Sequence, residues 1–307
     1  MPDLPPGEGV ALDARGELRG VRRFSHEAMA TVYEVYAAHG DAGYAGQGAQ
    51  AAFDLVDRLE RELSRFRDNS DITRINQLKA GESTRVAPST LECLAIARHV
   101  FDLTGGAFDI SIGTGLPSLE LDPDELVVRA AGNGVQVDLG GIGKGYAVDL
   151  VAQLLEDWGI GHALVHGGFS SVLALEPPPG LDGWPLTLSD PRERSRVFSR
   201  LSVRQTALGA SGLQKGEHIR DPRTGAPARG RVAAWVALPR SRVDETAEAR
   251  GSSDPPPRVA AATVADALTT AFMLLSDDEI QALCDATPGL TAWVMDSESL
   301  SVFGARD

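Results

Sequence analysis

Between residues 138 and 145 the chain reads Asp138-Leu-Gly-Gly-Ile-Gly-Lys-Gly145, with glycines at 140, 141, 143 and 145 and a lysine among them. Upstream, Val135 and Val137 alternate with polar residues, the pattern of a short half-buried strand. Downstream, Ala147, Val151, Leu154, Leu155 and Trp158 recur at helical spacing, and Gly159 supplies a stop. A glycine-rich turn that opens a helix presents unpaired backbone N–H groups and the positive end of the helix dipole. Phosphate oxygens suit that place, and Lys144 adds a full positive charge.

Two common phosphate motifs fail on this run. A Walker A loop needs Gly-x4-Gly-Lys-Ser/Thr, but Asp138 holds the first glycine position and Gly145 the hydroxyl position. The dinucleotide pattern Gly-x-Gly-x-x-Gly is absent as well, because Gly141, Gly143 and Gly145 fall at alternate positions. Glycines serve close packing as often as phosphate binding, so from this loop alone a ligand site and a tight packing turn stand level.

At 307 residues the chain is long enough for one large domain or two closely packed halves. A formal charge of −14 argues against sequence-independent nucleic-acid binding, which needs clustered Lys and Arg. It leaves a small anionic ligand open, since local loops decide such sites. Cys93 and Cys284 both lie in helix-like apolar stretches, which reads as two buried thiols rather than a disulfide framework, and no metal-type Cys/His cluster is present. The opening Met-Pro-Asp-Leu-Pro-Pro-Gly-Glu has neither the basic start nor the apolar run of a leader. As written the chain is expected in the cytoplasm, or in the periplasm if a leader was trimmed.

Residues 1–24 read as a flexible segment and 25–307 as the folded domain. Residues 27–38 alternate like one strand, and Phe53, Val56, Leu59, Leu63 and Phe66 predict an amphipathic helix over 49–66. Ser89 and Glu92 fit a capping box for a helix ending near Gly105, and Ser276 with Glu279 fit a second. Strands are expected at 162–166, 171–175, 197–203, 232–238, 291–295 and 300–303, and a helix at about Val264–Leu275. Residues 239–258, with Ser252-Ser253-Asp254 and three prolines, have the composition of a mobile insertion. No internal repeat is visible, and the interleaving suggests an α+β protein with a mixed sheet.

Two further segments carry chemistry. Asp221-Pro222-Arg223-Thr224 followed by Gly225 has the residue preferences of a type I turn. His218 stands beside it, and a histidine is the usual proton carrier near neutral pH; alone, the segment reads more often as a surface turn. Asp266 and Thr270, four apart, share one helix face and offer a carboxylate and a hydroxyl to a hard cation. If they were the only signal, helix capping by Asp266 would be the better account.

Taken together and in order, these elements resemble the FAD:protein FMN transferases, the ApbE-type flavin transferases. The family pattern is approximately Asp-x-Gly-Gly-x-Ala-Lys-Gly-Tyr-x-x-Asp, then Ser-Gly, then His with Asp-Pro-x-Thr-Gly, then Ala-Asp-Ala-x-x-Thr. This chain supplies Asp138, Gly140, Gly141, Lys144, Gly145, Tyr146 and Asp149, then Ser211-Gly212, His218, Asp221 to Gly225, and Asp266 with Thr270. Met29-Ala-Thr31, the stretch Ser64 to Asn76, Phe108-Asp109 to Gly113, and Gly167-Gly168 match further family segments, so the likeness runs from about residue 25 to the C-terminus.

The resemblance implies an α+β, T-fold-like architecture with a flavin cleft between two lobes. It implies an enzyme that moves FMN from FAD to a Ser or Thr hydroxyl of an acceptor protein, such as a respiratory or redox flavoprotein subunit, and releases AMP. The pyrophosphate would lie on Gly140–Gly145. Mg2+ would bind Asp266, Thr270 and the carbonyl of Gly143. His218 would accept the acceptor's proton, with Asp221 holding its turn. FAD contacts are implied for Met29, Thr31, Asp109, Asp138, Gly140, Gly141, Lys144, Gly145, Asp149, Gly168, Ser211, Arg223 and Thr224. The chain departs from the pattern at Gly143 (usually Ala), Ala30 (usually Gly), Phe169-Ser170 (where Asp or Asn is commoner), and in a short Leu213–Glu217 link. A flavin-binding protein without transfer, and a hydrolase giving FMN and AMP from FAD, are the alternative readings.

Overall fold

The computed structural model describes residues 18, 20–193, 195–213, 219–240 and 260–304. Its centre is an eight-stranded sheet in which every neighbouring pair runs antiparallel. In spatial order the strands are β1 (Val21–Ala28), β2 (Thr31–Ala38), β6 (Ala163–Gly167), β7 (Ser171–Ala174), β10 (Thr206–Gly212), β11 (Arg231–Pro239), β12 (Thr291–Asp296) and β13 (Leu300–Gly304).

This order contains a repetition that the sequence hides. Hairpin β1–β2 is followed by helices α1 (Ala42–Leu63), α2 (Asp71–Asn76), α3 (Pro88–Leu103) and α4 (Gly143–Asp157), then by hairpin β6–β7. Hairpin β10–β11 is followed by α5 (Ala261–Phe272) and α6 (Asp277–Ala286), then by hairpin β12–β13. Each half is hairpin, helices, hairpin, with its second and third strands paired, and β7 beside β10 joins the halves. The sequence shows no repeat because only the binary pattern is shared, and many sequences satisfy one binary pattern.

Side chains on this sheet alternate between two cores, as the period of a strand requires. Val165, Leu173, Ala207, Ala234 and Val236 face α1, α4 and α5 in the main core, while Leu164, Ala174, Leu208, Ala233 and Trp235 face the opposite side. That second face is covered by the hairpin β8 (Trp184–Ser189) and β9 (Val197–Val203), through buried Trp184 and an edge-on contact of Phe198 with Trp235 at 5.0 Å. A small sheet of β3 (Ser83–Arg85), β5 (Val127–Ala130) and β4 (Leu119–Asp122) lies on the α2–α3 side.

Several expected boundaries move. Residues 27–38 are not one strand: the chain reverses at Met29-Ala30 between β1 and β2. β1 also begins at Val21, inside the segment expected to be flexible. The first helix begins at Ala42, where Asp41 accepts the N–H groups of Gly43 and Tyr44, and ends at Leu63. Phe66 therefore lies past the helix, 82% exposed beneath the Arg65 guanidinium. The Ser89/Glu92 capping box does not form. Pro88 opens α3, Ser89 donates to Glu62, and Glu92 accepts the Tyr146 hydroxyl at 2.7 Å. The Ser276/Glu279 box does form.

The helix expected at Val264 starts at Ala261. Pro239 of the expected insertion closes β11, Arg240 pairs with Glu156 at 2.8 Å, and residues 241–259 lie outside the described residues. Cys93 and Cys284 are free and buried, as expected. Among the described residues, no helix is long and apolar enough to cross a membrane.

Candidate active site

The glycine loop is entered without the expected strand at Val135–Val137. Instead Asn76, at the end of α2, uses both ends of its side-chain amide as a one-residue strand partner. It donates to the Val137 carbonyl at 3.0 Å and accepts the Val137 N–H at 2.6 Å. Asp138 then anchors the loop, accepting the Gly140 N–H at 2.9 Å and pairing with Arg65 at 3.1 Å. The Leu139 carbonyl accepts the Gly143 N–H at 2.7 Å, and α4 begins.

A helix start leaves its first N–H groups without partners inside the helix. At α4 the Gly145 N–H donates to Asp266 Oδ2 on α5 at 3.0 Å. Only glycine fits there: a Cβ on Gly145 would collide with the Ala262 carbonyl and sit 2.8 Å from Asp266 Cβ. Lys144 Nζ completes the group, 3.1 Å from the Gly140 carbonyl and 3.4 Å from Asp266 Oδ2.

Asp266 is buried, and burial pushes its pKa up while Lys144, the Gly145 N–H and nearby Ser171 pull it down. Its charge, added to burial, raises the pKa of Tyr33, whose hydroxyl donates to the Met29 sulfur at 3.1 Å. On the next turn of α5, Thr269 donates its hydroxyl proton to the Asp266 carbonyl at 2.7 Å. Ser211, 2.9 Å from Thr269 Oγ1, must then be the donor in that contact. Thr270 lies 3.4 Å from Ser211 Oγ, and its hydroxyl faces Gly141, where a Cβ would stand 3.4 Å away.

Strand ends frame this group. Gly168, at φ +67°, lies against the Thr31 hydroxyl, and its N–H donates to the Val32 carbonyl at 2.9 Å. The turns at Met29-Ala30 and Gly168–Ser170 and the end of β10 at Ser211 occupy one end of the sheet. A second group adjoins the loop. Asp138 N–H donates to the Ile110 carbonyl at 2.8 Å, and the Phe108 ring reaches Gly141. The expected turn forms at Asp221–Gly225, with the Gly225 N–H on the Asp221 carbonyl at 2.7 Å, and Pro222 packs on Gly113. Asp221 grips Arg223 with both carboxylate oxygens, at 2.9 and 3.0 Å, and Thr224 Oγ1 accepts the Ala226 N–H at 3.3 Å.

Two residues of the expected FAD set have their carboxylates engaged within the fold. Asp149 faces α5. Its carboxylate accepts the N–H groups of Ala262 and Thr263 at 3.1 and 2.8 Å and the Thr263 hydroxyl at 2.6 Å. Helix α5 begins after Ala260, which has no capping side chain, so Asp149 caps it from another helix. Asp109 is committed to its own loop, accepting Ser111 N–H and hydroxyl at 2.7 Å each and Gly113 N–H at 2.9 Å. His218 lies outside the described residues; buried Ile219 follows it.

The donors around Asp266 are oxygens: one carboxylate and the hydroxyls of Thr270 and Ser211. That chemistry fits a hard cation of the Mg2+ class rather than zinc. Among the described residues no three His, Cys, Asp or Glu side chains converge on a metal-holding group. Ser171 Oγ, fully buried nearby, makes no hydrogen bond of full geometry among the described residues, although it lies close enough to Asp266 to lower its pKa. Gly143 is the first residue of α4, where its carbonyl points along the helix, so a cation would use its second lone pair.

The ApbE family model matches residues 29–116 and 114–250, which span this arrangement from Met29 to the Asp221 turn. The chain belongs to the ApbE family. An FAD:protein FMN transferase of Vibrio cholerae serotype O1 is 24% identical over 269 residues, 76% of this chain and 74% of that protein. Another from Treponema pallidum is 27% identical over 295 residues, 79% of this chain and 75% of that one. The apo crystal structure of the Pseudomonas stutzeri flavinyl transferase ApbE superposes with a TM-score of 0.75 at 23% identity, covering 92% of this chain and 94% of its own. The ApbE protein of Thermotoga maritima gives 0.76 at 21% identity, covering 92% and 97%. These ApbE structures share the mixed α/β fold and its large antiparallel sheet.

Within this ApbE chain, Arg65 and Asn76 lie in the matched Ser64–Asn76 stretch without an expected role, and Thr269 and Ser171 carried none. Thr269 was within reach of a spacing argument, three residues after Asp266. The others act across long separations and leave no local signal.

Proposed function

We propose that this chain transfers FMN from FAD to a Ser or Thr hydroxyl of an acceptor protein, with Mg2+, releasing AMP. The observation that carries the reading is the buried Asp266 carboxylate held against the N-terminus of α4, with Lys144 on one side and the Thr270 and Ser211 hydroxyls on the other. The names of the relatives support it, since each is an FAD:protein FMN transferase.

The work of the residues follows from their chemistry. The α4 N-terminus and Lys144 favour pyrophosphate oxygens at the Gly140–Gly145 loop. Asp266, Thr270 and the Gly143 carbonyl would hold the cation. Bound there, Mg2+ supplies neutralisation of charge on the phosphoryl oxygens and on departing AMP. The acceptor oxygen attacks the FMN phosphorus, the bond to the AMP oxygen breaks, and AMP leaves with the electron pair. His218 takes the acceptor's proton, and the Asp221–Gly225 turn that follows it in sequence is fixed on Gly113.

The test incubates the protein with FAD, Mg2+ and an acceptor bearing a target Ser or Thr. A gain of one FMN mass that survives denaturation, with AMP in equal amount, is the expected result. FMN and AMP without labelling would identify a hydrolase, and intact FAD a binding protein.

A further inference from the structure

Three positions form one row across the sheet: Gly167 on β6, Ser171 on β7 and Gly209 on β10. A Cβ on Gly167 would press on the Val148 side chain, and one on Gly209 would lie 2.5 Å from the Ala265 carbonyl oxygen. Helices α4 and α5 therefore rest directly on this row, at the level of Lys144 and Asp266. Ser171 is the one member with a side chain. It shares its strand face with Leu173 of the helix-side core, so its hydroxyl points toward those helices.

Ser171 is fully buried, and its Oγ makes no hydrogen bond of full geometry among the described residues, although it lies close enough to the Asp266 carboxylate to favour its ionised form. A buried hydroxyl without a partner destabilises the fold, and alanine would fill the same place without that penalty. The Asp266 carboxylate stands beside this hydroxyl, with Oδ2 already taken by Gly145 N–H and Lys144. Carboxylates that ligate metals are commonly steadied by an outer hydrogen bond, and loss of such a partner weakens metal binding.

We propose that Ser171 is a positioning residue for Asp266: its hydroxyl donates fully to the carboxylate when Asp266 ligates a divalent cation, and otherwise lies beside it without a well-formed bond. The inference rests on the divalent-cation reading above and adds a residue that the family pattern does not supply. It makes two expectations of opposite sign for Ser171→Ala. Removing a buried hydroxyl that lacks a well-formed bond raises the melting temperature of the metal-free protein, by about 1–3 °C for a chain of this size. Removing the outer partner weakens cation affinity by roughly 10- to 100-fold.

The experiment titrates Mn2+, a paramagnetic stand-in for Mg2+, into the full-length protein with excess FAD and reads free Mn2+ by electron paramagnetic resonance. Melting temperature is measured in parallel in chelator. Weaker Mn2+ binding together with a higher metal-free melting temperature in Ser171→Ala is the expected result. Equal Mn2+ affinity in the two proteins overturns the role of Ser171 while leaving the cation reading intact. A lower metal-free melting temperature also overturns it, since the hydroxyl would then be an ordinary structural donor. A wild-type protein that binds no Mn2+ overturns the cation reading, and this inference with it.

Discussion

The backbone N–H of Gly145, in the first turn of α4, donates to the side chain of Asp266 on α5 at 3.0 Å, across 121 positions of sequence. The bond joins the two halves of the sheet protein, because α4 precedes the second hairpin of one half and α5 follows the first hairpin of the other. Four residues along α4, Asp149 returns the contact by capping α5. Each helix thus supplies a partner for the other's unpaired N-terminal groups, and the proposed anion and cation subsites arise where the two starts meet.

Gly145→Ala tests how tightly that meeting is packed. Its Cβ has no room beside the Ala262 carbonyl and Asp266 Cβ, so α4 and α5 must separate. Overpacking of this kind costs about 1–3 kcal/mol, and a shift near 1 Å at the reacting groups costs on the order of a hundredfold in rate. Urea denaturation and an FMN-transfer assay on the same protein check both. Wild-type values in each would show that the helices are not indexed by this glycine.

Asp266→Asn separates charge from packing. Burial raises the pKa of this carboxylate, which means that the fold bears a cost for the ionised form. Asparagine keeps the shape and an acceptor for Gly145 N–H. Metal-free stability should stay level or rise, while FMN transfer falls on the order of 10²–10³-fold, the range for losing a preorganised electrostatic group. Thermal melts in chelator and a transfer assay across Mg2+ concentrations measure the two effects. Full activity in the variant would remove Asp266 from the proposed cation site.

Signals local in sequence were the legible ones. The turn at Asp221–Gly225 and the Ser276/Glu279 cap form as read, because each is decided within about five residues. The Ser89/Glu92 box has the same local pattern and fails. Pro88 suits the first position of a helix, and Glu62 and Tyr146 claim the two side chains from elsewhere in the fold. Val135–Val137 alternates like a strand, but its backbone bonds to the side chains of Asn76 and Thr114, which periodicity does not register. The cluster of Asp266, Thr270, Lys144 and the glycines was reached through the family pattern, and the structure brings those residues together. Asp149 belongs to the same pattern, and its capping of α5 is not legible there, since motif membership does not say which way a side chain faces.

Ala30 offers a stability test in the β1–β2 turn. The β1–β2 hairpin pairs Ala28 with Thr31 and leaves Met29 and Ala30 as its two turn residues, at φ +50° and +55°. Both central positions of such a turn are left-handed, the conformation that glycine adopts without strain. Ala30→Gly should stabilise the protein by about 1 kcal/mol, after allowing for the extra freedom glycine gives the unfolded chain. A denaturant midpoint that falls instead would mean that the alanine methyl makes contacts outweighing the backbone strain.

Asp149 supplies the pH dependence. Burial dominates its environment and raises its pKa to about 6, against hydrogen bonds from Thr263 and Ala262 that favour the ionised form. In the unfolded chain the group returns to an ordinary value near 3.9. Between about pH 4 and pH 6 the native state therefore holds more protons than the unfolded state, and stability from this group declines as pH rises through that window. The stabilisation is fully present below the unfolded value and gone above the folded one, with a span on the order of 2–3 kcal/mol. Asp149→Asn removes the titration while keeping the size of the cap. Unfolding free energies of the two proteins, measured by urea at pH 4.5, 5.5 and 7, should show wild type losing stability relative to the variant as pH rises. A difference that stays constant, or that shifts toward wild type with rising pH, would mean that the α5 amides hold Asp149 ionised well below pH 6.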